Sequence, residues 1–239
     1  KITLPRPGHA DLAGILKYGF DDIRNVIERS SARETAMRVA LGSICRKLLE
    51  KFNIQIGSYV TSIYNVKDQN NYMDLTPQEI NTKADKSMVR SLNKSSEKKM
   101  IDVIKNAKEE GDSVGGSFQI HISGVPYGLG SYTSWDEKLN ARLGNAILSI
   151  NGIKSFDIGL GSLSEEKKGS QLHDEIFYDK TFKRGSNNCG GIEGGISNGQ
   201  KIIISATMKP IPTLIKPLQS VDINTKESKL AHKERTDSC

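Results

Sequence analysis

The sequence predicts a single α+β domain over residues 1–239, with helices and mixed β-sheets in irregular order. The 239 residues are 36% hydrophobic and 26% charged, the balance of a globular chain long enough to bury a sizeable core. Helical spacing of apolar residues alternates along the chain with strand-like segments such as residues 118–123. The sequence contains no internal repeat, coiled-coil heptad or regular βαβ array, which disfavours solenoids and doubly wound folds.

The first segments indicate a loop followed by a long helix. Residues 4–11 contain two prolines and a glycine, which disfavour regular structure. Apolar residues then recur at helical spacing and predict a buried amphipathic helix that ends near residue 52. The residues of this stripe are Met37, Ala40, Ile44, Leu48 and Phe52.

The remaining elements are predicted from their own patterns. Residues 64–96 and 162–185 are rich in polar and charged residues and predict loops or variable segments. Phe118, Ile120 and Ile122 alternate with polar residues, which predicts a strand with one solvent-facing side. The other predicted elements are strands at residues 54–66 and 202–208 and helices at residues 98–110 and 139–150.

Charge and composition narrow the classes of function. Lys and Arg exceed Asp and Glu by 34 to 28, and the net charge of +6 fits nucleic acid, an anionic membrane surface or small phosphorylated ligands; arginines clustered near residues 24–33 beside serines favour the last. Only 6% of residues are aromatic, which leaves few stacking platforms for nucleic acid, and no apolar run approaches the roughly 20 residues of a membrane span. Cys45, Cys189 and Cys239 form no CxxC pair and no leader opens the sequence, so reduced thiols in the cytoplasm are expected.

The start of the long helix carries a candidate anion site. Ser31 and Glu34 have the spacing of a capping box, in which the hydroxyl accepts a backbone N–H and the carboxylate reaches back. Arg29 and Arg33 flank this helix N-terminus, whose unpaired N–H groups and dipole favour negative charge. A capped helix with solvated arginines is the alternative, and the residues alone leave both open.

Five glycines lie within residues 187–199 and form a second candidate site. Glycine lets the backbone approach a ligand closely. Gln200 follows Gly199 where a phosphate loop requires lysine, and no third glycine completes Gly128-Leu-Gly130 as a dinucleotide fingerprint. A nucleoside triphosphatase and a dinucleotide-binding fold are therefore disfavoured, and the segment is either a ligand cradle or a cluster of turns.

His9 is the histidine that is best placed for chemistry. It lies in a constrained loop, where a fixed imidazole can transfer protons near neutral pH; a structural or solvated histidine is the alternative. His121 falls on the polar face of its strand, and His173 and His232 lie in charged segments, so these three are predicted to be solvated. No spacing in the sequence indicates a metal site or a serine hydrolase.

Seven segments, in their order, resemble the chorismate synthase family and together cover almost the whole chain. They are Arg6-Pro-Gly-His-Ala-Asp11, Lys17-Tyr-Gly19, Arg29-Ser-Ser-Ala-Arg-Glu-Thr-Ala36, Gly124-Val-Pro-Tyr-Gly-Leu-Gly130, Asn188-Cys-Gly-Gly-Ile-Glu-Gly-Gly-Ile-Ser-Asn-Gly199, Lys209-Pro-Ile-Pro-Thr213 and Arg235-Thr-Asp-Ser-Cys239. The resemblance implies a shikimate-pathway lyase that eliminates phosphate from 5-enolpyruvylshikimate 3-phosphate to give chorismate. It also implies reduced FMN as cofactor, a link to NADP, a β-α-β sandwich fold and a homotetramer.

The matching positions imply roles for individual residues. His9 is implied to protonate the reduced flavin, and Asp237 to act with flavin N5 in removing the substrate's hydrogen. The implied flavin contacts are Arg29, Ser30, Ser31, Asn151, Gly152, Gly194, Lys209, Pro210, Ile211, Pro212, Thr213 and Arg235. The expected substrate-side cations are Arg6, Arg33 and Arg235, because a trianionic substrate needs its charge neutralised. No metal ligand is implied.

Two parts of the family pattern do not occur in this sequence. The family pattern opens with a Gly-Glu-Ser-His-Gly type motif that carries a second catalytic histidine, followed by an arginine-rich segment, and it continues into a final helix. The sequence is therefore expected to be incomplete at both ends relative to the family. Two functions stay open: an active lyase, or a non-catalytic flavin- or phosphate-binding remnant of the same fold.

Overall fold

A computed structural model describes residues 1–30, 32–232 and 237–239 of the chain. Within these residues the helices are α1 (Asp11–Tyr18), α2 (Arg24–Ile27), α3 (Ala32–Lys51), α4 (Pro77–Ala84), α5 (Lys94–Glu110), α6 (Leu139–Leu148) and α7 (Gly169–Leu172), with a 3-10 turn at Gly161–Glu166. The strands are β1 (Gln55–Ile63), β2 (Val66–Lys67), β3 (Gly116–Ser123), β4 (Ile153–Ile158), β5 (Ile176–Asp179), β6 (Thr181–Arg184), β7 (Ile192–Glu193), β8 (Ile196–Ser197), β9 (Ile202–Met208), β10 (Gln219–Val221) and β11 (Ser228–Leu230). This combination of helices with antiparallel strands confirms the α+β class.

A five-stranded sheet lies at the centre of the fold, in the order β2-β1-β3-β9-β4. Its neighbouring strands are all antiparallel, so the expected mixture of strand directions is wrong, because strands that run in the same direction, such as β3 and β4, are separated by an antiparallel strand. Met208 at the end of β9 pairs with Ile153 at the start of β4 and with Gly116 at the start of β3. The segment after β9 therefore lies beside the segments that precede β3 and β4.

The predicted strands and helices around this sheet are confirmed to within a few residues, and they enclose its core. Ile202 and Ile204 of β9 are buried together with Val125 and Ile192. On the same face of the sheet, Ile63 of β1 and the fully buried Met100 of α5 lie in a second apolar cluster. The sheet consequently holds the segments at its two ends in fixed relative positions.

The first predicted loop contains helix α4. Glu79 N donates to Thr76 Oγ1 at 3.3 Å while Thr76 N donates to Glu79 Oε2 at 2.8 Å, which makes a complete capping box. Ile80 and Ala84 of α4 are fully buried against Tyr59 of β1. The loop expectation is wrong here because a capping box and two apolar residues four positions apart suffice to fix a short helix against the sheet.

The second predicted loop contains the hairpin of β5 and β6, so the loop expectation is wrong there as well. Phe177, Tyr178 and Phe182 are more than half exposed in this hairpin, and the rings of Tyr178 and Phe182 meet edge to face with centroids 5.1 Å apart. Lys180 adopts φ +60° at the turn. The sequence did not indicate these strands, because each has only four residues and both lie within a segment rich in charged residues.

Helix α3 forms as predicted, but its apolar stripe is not buried by the described residues. Arg38 Nη1 donates to Ser149 Oγ at 2.7 Å and Arg46 Nη2 donates to Ile56 O at 2.6 Å, so polar residues make these contacts of α3. The apolar side chains that are more than half exposed include Met37, Ile44, Leu48 and Phe52. The expected burial of the apolar stripe is wrong, because α3 contacts the described residues through its arginines and directs these apolar side chains away from them. None of the helices in the described part of the chain is long and apolar enough to cross a membrane.

Candidate active site

The loop before α1 is fixed by an internal ion pair. Arg6 donates from Nε to Asp11 Oδ2 at 2.8 Å, from Nη2 to Oδ1 at 3.1 Å, and from its backbone N to Oδ2 at 2.9 Å. Asp11 is fully buried, so these bonds compensate a carboxylate that has no contact with solvent. The pair joins the two ends of the short turn that carries His9.

The same turn docks on the segment that follows β9. Gly8 adopts φ +80°, and a Cβ at this position would lie 2.8 Å from Pro212 Cβ, so the close approach requires glycine. Lys209 Nζ donates to Gly8 O, and His9 Nε2 lies 2.8 Å from Thr213 Oγ1 in a hydrogen bond. The structure thus brings His9 together with the predicted flavin segment, although the two are about 200 residues apart.

The predicted contacts Asn151 and Gly152 lie at the same end of the sheet. Lys209 N donates to Gly152 O at 2.9 Å, and Gly152 adopts φ +88° in the turn before β4. The hydrogen bond from Arg38 to Ser149 brings the first turns of α3 to this loop. The turn before β4 therefore links the segment after β9 to helix α3.

Asp237 also reaches this end of the sheet. Val114 N, just before β3, donates to Ser238 O at 2.8 Å, which fixes the residue next to Asp237. Ser113 Oγ donates to Ile211 O at 2.6 Å and so connects the same stretch to the predicted flavin segment. Asp237 itself is exposed.

The predicted anion site at the start of α3 is described only in part. Arg29 and Ser30 are exposed, and Ser30 Oγ donates to Val26 O at 2.8 Å. Glu34 accepts a hydrogen bond from Arg38 Nε within the helix. The predicted contacts that lie outside the described residues are Ser31, Arg235 and the side chain of Arg33.

Gly194 is not brought next to His9. It follows β7 in the glycine-rich loop, which precedes β9, whereas His9 docks on the segment that follows β9. The seven residues of β9 span about 20 Å at about 3.3 Å per residue, which separates the two positions. Gly194 adopts φ +58° and nothing lies within 4 Å of a Cβ built there, so its backbone is open to a ligand.

The glycine-rich loop is held by a cluster of polar side chains. Asp174 accepts from the backbone N of Asn188 and Cys189 at 2.8 and 3.0 Å, and Glu193 accepts from Arg184 Nε and Nη2 at 2.7 and 2.6 Å. The ligand atoms of Asp174, Cys189 and Glu193 lie within 4.8 Å of one another, a spacing at which a metal ion could be held. Burial raises the pKa of Cys189 to about 12, which disfavours the thiolate that a metal requires. The hydrogen bonds already made by both carboxylates explain the cluster as a fastening of the loop.

A cleft of about 630 Å³ opens beside His9, a volume suited to a small-molecule ligand. Its walls are residues 5–9, Leu12 and Ala13 on one side and residues 219–223 and Lys226 on the other. Near it, burial and, to a lesser extent, the charge of Lys154 lower the pKa of Lys209. Within the described part of the chain no carboxylate forms an ion pair with Lys209, so this end of the sheet favours an anion.

His121 is fully buried, and the prediction that it is solvated is wrong. Its Nε2 bonds Gln119 Oε1 at 2.8 Å, and Tyr59 Oη donates to the same oxygen at 2.7 Å. Burial, with a smaller effect of Lys201, lowers the pKa of His121 to about 4. The polar face of β3 was expected to meet solvent, but α4 and the rings of Tyr59 and Tyr72 cover it. The histidines that are exposed as predicted are His173 and His232.

Known proteins resemble the chain over its whole length. The family model "Chorismate synthase" matches residues 1–239. A chorismate synthase of Alkaliphilus metalliredigens is 55% identical over 241 residues, and one of Caldicellulosiruptor saccharolyticus is 50% identical over 243 residues; each alignment covers 100% of this chain and 63% of the relative. A crystal structure of chorismate synthase matches with a TM-score of 0.80 and 42% identity, over 85% of this chain and 63% of that chain. The chain therefore spans somewhat less than two thirds of the length of these relatives.

Proposed function

Because this chain belongs to the chorismate synthase family, we propose that the protein carrying it is a lyase of the shikimate pathway. Its reaction would be the anti-1,4-elimination of phosphate from 5-enolpyruvylshikimate 3-phosphate, which gives chorismate. One observation carries the proposal: the turn with His9 docks on the segment after β9. This contact brings the imidazole of His9, which lines the cleft, together with the hydroxyl of Thr213 and the ammonium group of Lys209.

Reduced FMN is the proposed cofactor, and the residues at this end of the sheet fit an anionic group of that size. Lys209, with Lys154 nearby, offers positive charge, and the cleft offers the volume. When bound, the reduced flavin supplies an electron-rich ring that no side chain provides. The residues proposed to hold it are Arg29, Ser30, Ser31, Asn151, Gly152, residues 209–213 and Arg235. Gly194, at the opposite end of β9, is proposed as a contact on the resemblance alone. A link to NADP stays a prediction.

Proton transfer is proposed to fall to His9 and Asp237. The half-buried imidazole of His9 is the proposed proton donor, and the carboxylate of Asp237 is proposed to take up the proton that the substrate loses. Arginines neutralise the trianionic substrate and the departing phosphate, because preorganised cations stabilise developing negative charge. The proposed arginines are Arg6, Arg33 and Arg235. Arg6 lines the cleft, and because Asp11 already balances its charge, it would contribute to the substrate as a fixed hydrogen-bond donor.

We further propose that the protein is a cytoplasmic homotetramer with no nucleic-acid or membrane partner. The exposed apolar side chains of α3 and of the β5-β6 hairpin support contacts with further protein surface, because such patches mark interfaces. Sedimentation-velocity analysis of the protein carrying this chain checks the assembly. A monomer across the micromolar range would contradict the tetramer.

The function is tested by incubating the protein carrying this chain with 5-enolpyruvylshikimate 3-phosphate and photochemically reduced FMN without oxygen. We expect chorismate and phosphate in equal amounts, and no product when oxidised FMN replaces the reduced form. Binding of FMN without any turnover would contradict the lyase and favour the non-catalytic binding protein. Absence of both binding and turnover would contradict the flavin site as well.

A further inference from the structure

The hydrogen bond between His9 and Thr213 is the contact from which a further role follows. His9 Nε2 and Thr213 Oγ1 are 2.8 Å apart, and both side chains are half-buried. The bond joins the turn before α1 to the segment after β9 through the imidazole ring itself, whereas Gly8 meets Lys209 and Pro212 through its backbone.

We propose that Thr213 is a positioning residue whose hydroxyl fixes the orientation of the His9 imidazole at the cleft. This inference rests on the proposed function only for its consequence on rate. Its structural part concerns two side chains of this chain and can be tested without substrate or cofactor.

The contacts that hold the backbone of this turn do not by themselves orient the His9 ring, whereas a hydrogen bond to a ring nitrogen does. The ion pair of Arg6 with Asp11 and the hydrogen bond from Lys209 Nζ to Gly8 O fix the turn. These contacts do not select a value of the last side-chain torsion of a histidine, which has a broad and roughly two-fold preference. A hydrogen bond to one ring nitrogen selects one of the two ring orientations.

Thr213 is well supported for this task. Pro212 precedes it, and proline fixes its own φ near −65° while lying against Gly8. Ile211 O accepts a hydrogen bond from Ser113 Oγ at 2.6 Å, which fastens the segment to the start of β3. Threonine is branched at Cβ, so its χ1 torsion is stiff. The position of the Thr213 hydroxyl is therefore restrained both by the backbone of its segment and by the stiff χ1 torsion, independently of its hydrogen bond to His9.

A hydroxyl suits a ring that changes its protonation state. The hydroxyl oxygen can accept a hydrogen bond from a protonated Nε2, and the hydroxyl can donate a hydrogen bond to an unprotonated Nε2. The contact to His9 thus survives both states of the imidazole. A carboxylate at this position would instead favour the charged form, and an apolar side chain would hold neither.

The test compares Thr213→Val, which keeps the shape and removes the hydroxyl, with Thr213→Ser, which keeps the hydroxyl. Thr207→Val is the matched control, because Thr207 Oγ1 makes a 2.8 Å hydrogen bond with Ser117 Oγ in the sheet, away from His9. The first readout is the 15N spectrum of the His9 imidazole, assigned with His9→Gln. We expect changed ring-nitrogen shifts and tautomer populations in Thr213→Val, near wild-type values in Thr213→Ser, and no change in Thr207→Val.

The second readout is the single-turnover rate with pre-reduced FMN at saturating concentration, because Thr213 is also a proposed flavin contact. We expect a roughly tenfold lower rate in Thr213→Val and recovery to within about threefold in Thr213→Ser, as misplacement of a reacting group costs rate. Unchanged His9 spectra in Thr213→Val would overturn the positioning role. If wild type itself gives no chorismate, the proposed function fails while the spectra still decide the role of Thr213.

Discussion

Acidification from pH 7.5 to pH 5 should destabilise the fold through His121. This imidazole is fully buried, and its bond to Gln119 Oε1 requires the proton on Nε2, because an amide oxygen only accepts. A second proton would have to enter at Nδ1, which is buried without a hydrogen-bond partner among the described residues. The folded state therefore resists protonation of His121.

The size of the effect follows from the two pKa values. Burial lowers the pKa of His121 from 6.5 to about 4, so between these values the unfolded chain binds a proton that the folded chain does not. Stability is unaffected above pH 6.5, falls as the pH drops below it, and levels off below about pH 4. At pH 5 the expected loss is about 2 kcal/mol, and the full loss is about 3 kcal/mol.

Carboxylates with lowered pKa values act in a different window. The hydrogen bond with Arg184 lowers the pKa of Glu193, and that with Thr3 lowers the pKa of Asp222. Their stabilisation is complete above the unfolded values near 4 and is lost only as the pH falls through the lower folded values. Between pH 7.5 and pH 5, these carboxylates therefore do not contribute to the change in unfolding free energy, and the effect of His121 can be measured separately.

Urea unfolding at pH 7.5 and pH 5 measures the change. We expect the wild type to lose about 2 kcal/mol of unfolding free energy between these pH values, and His121→Gln to lose much less, whatever its stability at pH 7.5. His173→Gln is the control, because His173 is exposed, and it should lose as much as wild type. An equal loss in His121→Gln and wild type would refute the reasoning.

Three further predictions concern other contacts. Asp11→Asn should lower the unfolding free energy by about 3–5 kcal/mol in urea titrations, because it removes the negative charge that pairs with Arg6. Lys47→Ala, which breaks an exposed ion pair, should change the unfolding free energy by less than about 1 kcal/mol. Equal effects of the two variants would contradict the stabilising role of the ion pair between Arg6 and Asp11. Thr76→Ala should cost about 1 kcal/mol through the lost cap of α4, and no measurable change in the same titration would contradict it. Asp237→Asn should retain FMN affinity in fluorescence titration and lose most of the single-turnover rate; normal turnover would remove Asp237 from proton transfer.

The elements that the sequence predicts well are those with one dominant pattern. The apolar run of β9 is found where expected, and so is the amphipathic helix α5. The spacing of Thr76 and Glu79 is a readable capping box that could have indicated helix α4, but the burial of this short helix against Tyr59 of β1 follows from the folded chain alone. Periodicity also showed that His121 lies on the polar face of β3, opposite the apolar face. It could not show that α4 covers this polar face.

The candidate site shows the same division. The resemblance of motifs singled out His9 and the segment with Thr213, and the structure places them in contact. No local pattern predicts that contact, because sheet pairing and the close approach of Gly8 to Pro212 create it. Asp11 was quoted only as part of a motif, and its role as the buried partner of Arg6 follows from the folded chain alone.

The central claim is that the cleft beside His9 is where phosphate is eliminated, and single-turnover kinetics of His9→Ala test it most directly. The protein carrying this chain is mixed with pre-reduced FMN and 5-enolpyruvylshikimate 3-phosphate, and chorismate formation is followed by its absorbance. We expect the rate to fall roughly 10²- to 10⁴-fold, the usual effect of removing a general acid, while substrate affinity changes much less. A rate within a few-fold of wild type would contradict the claim and leave His9 a structural role.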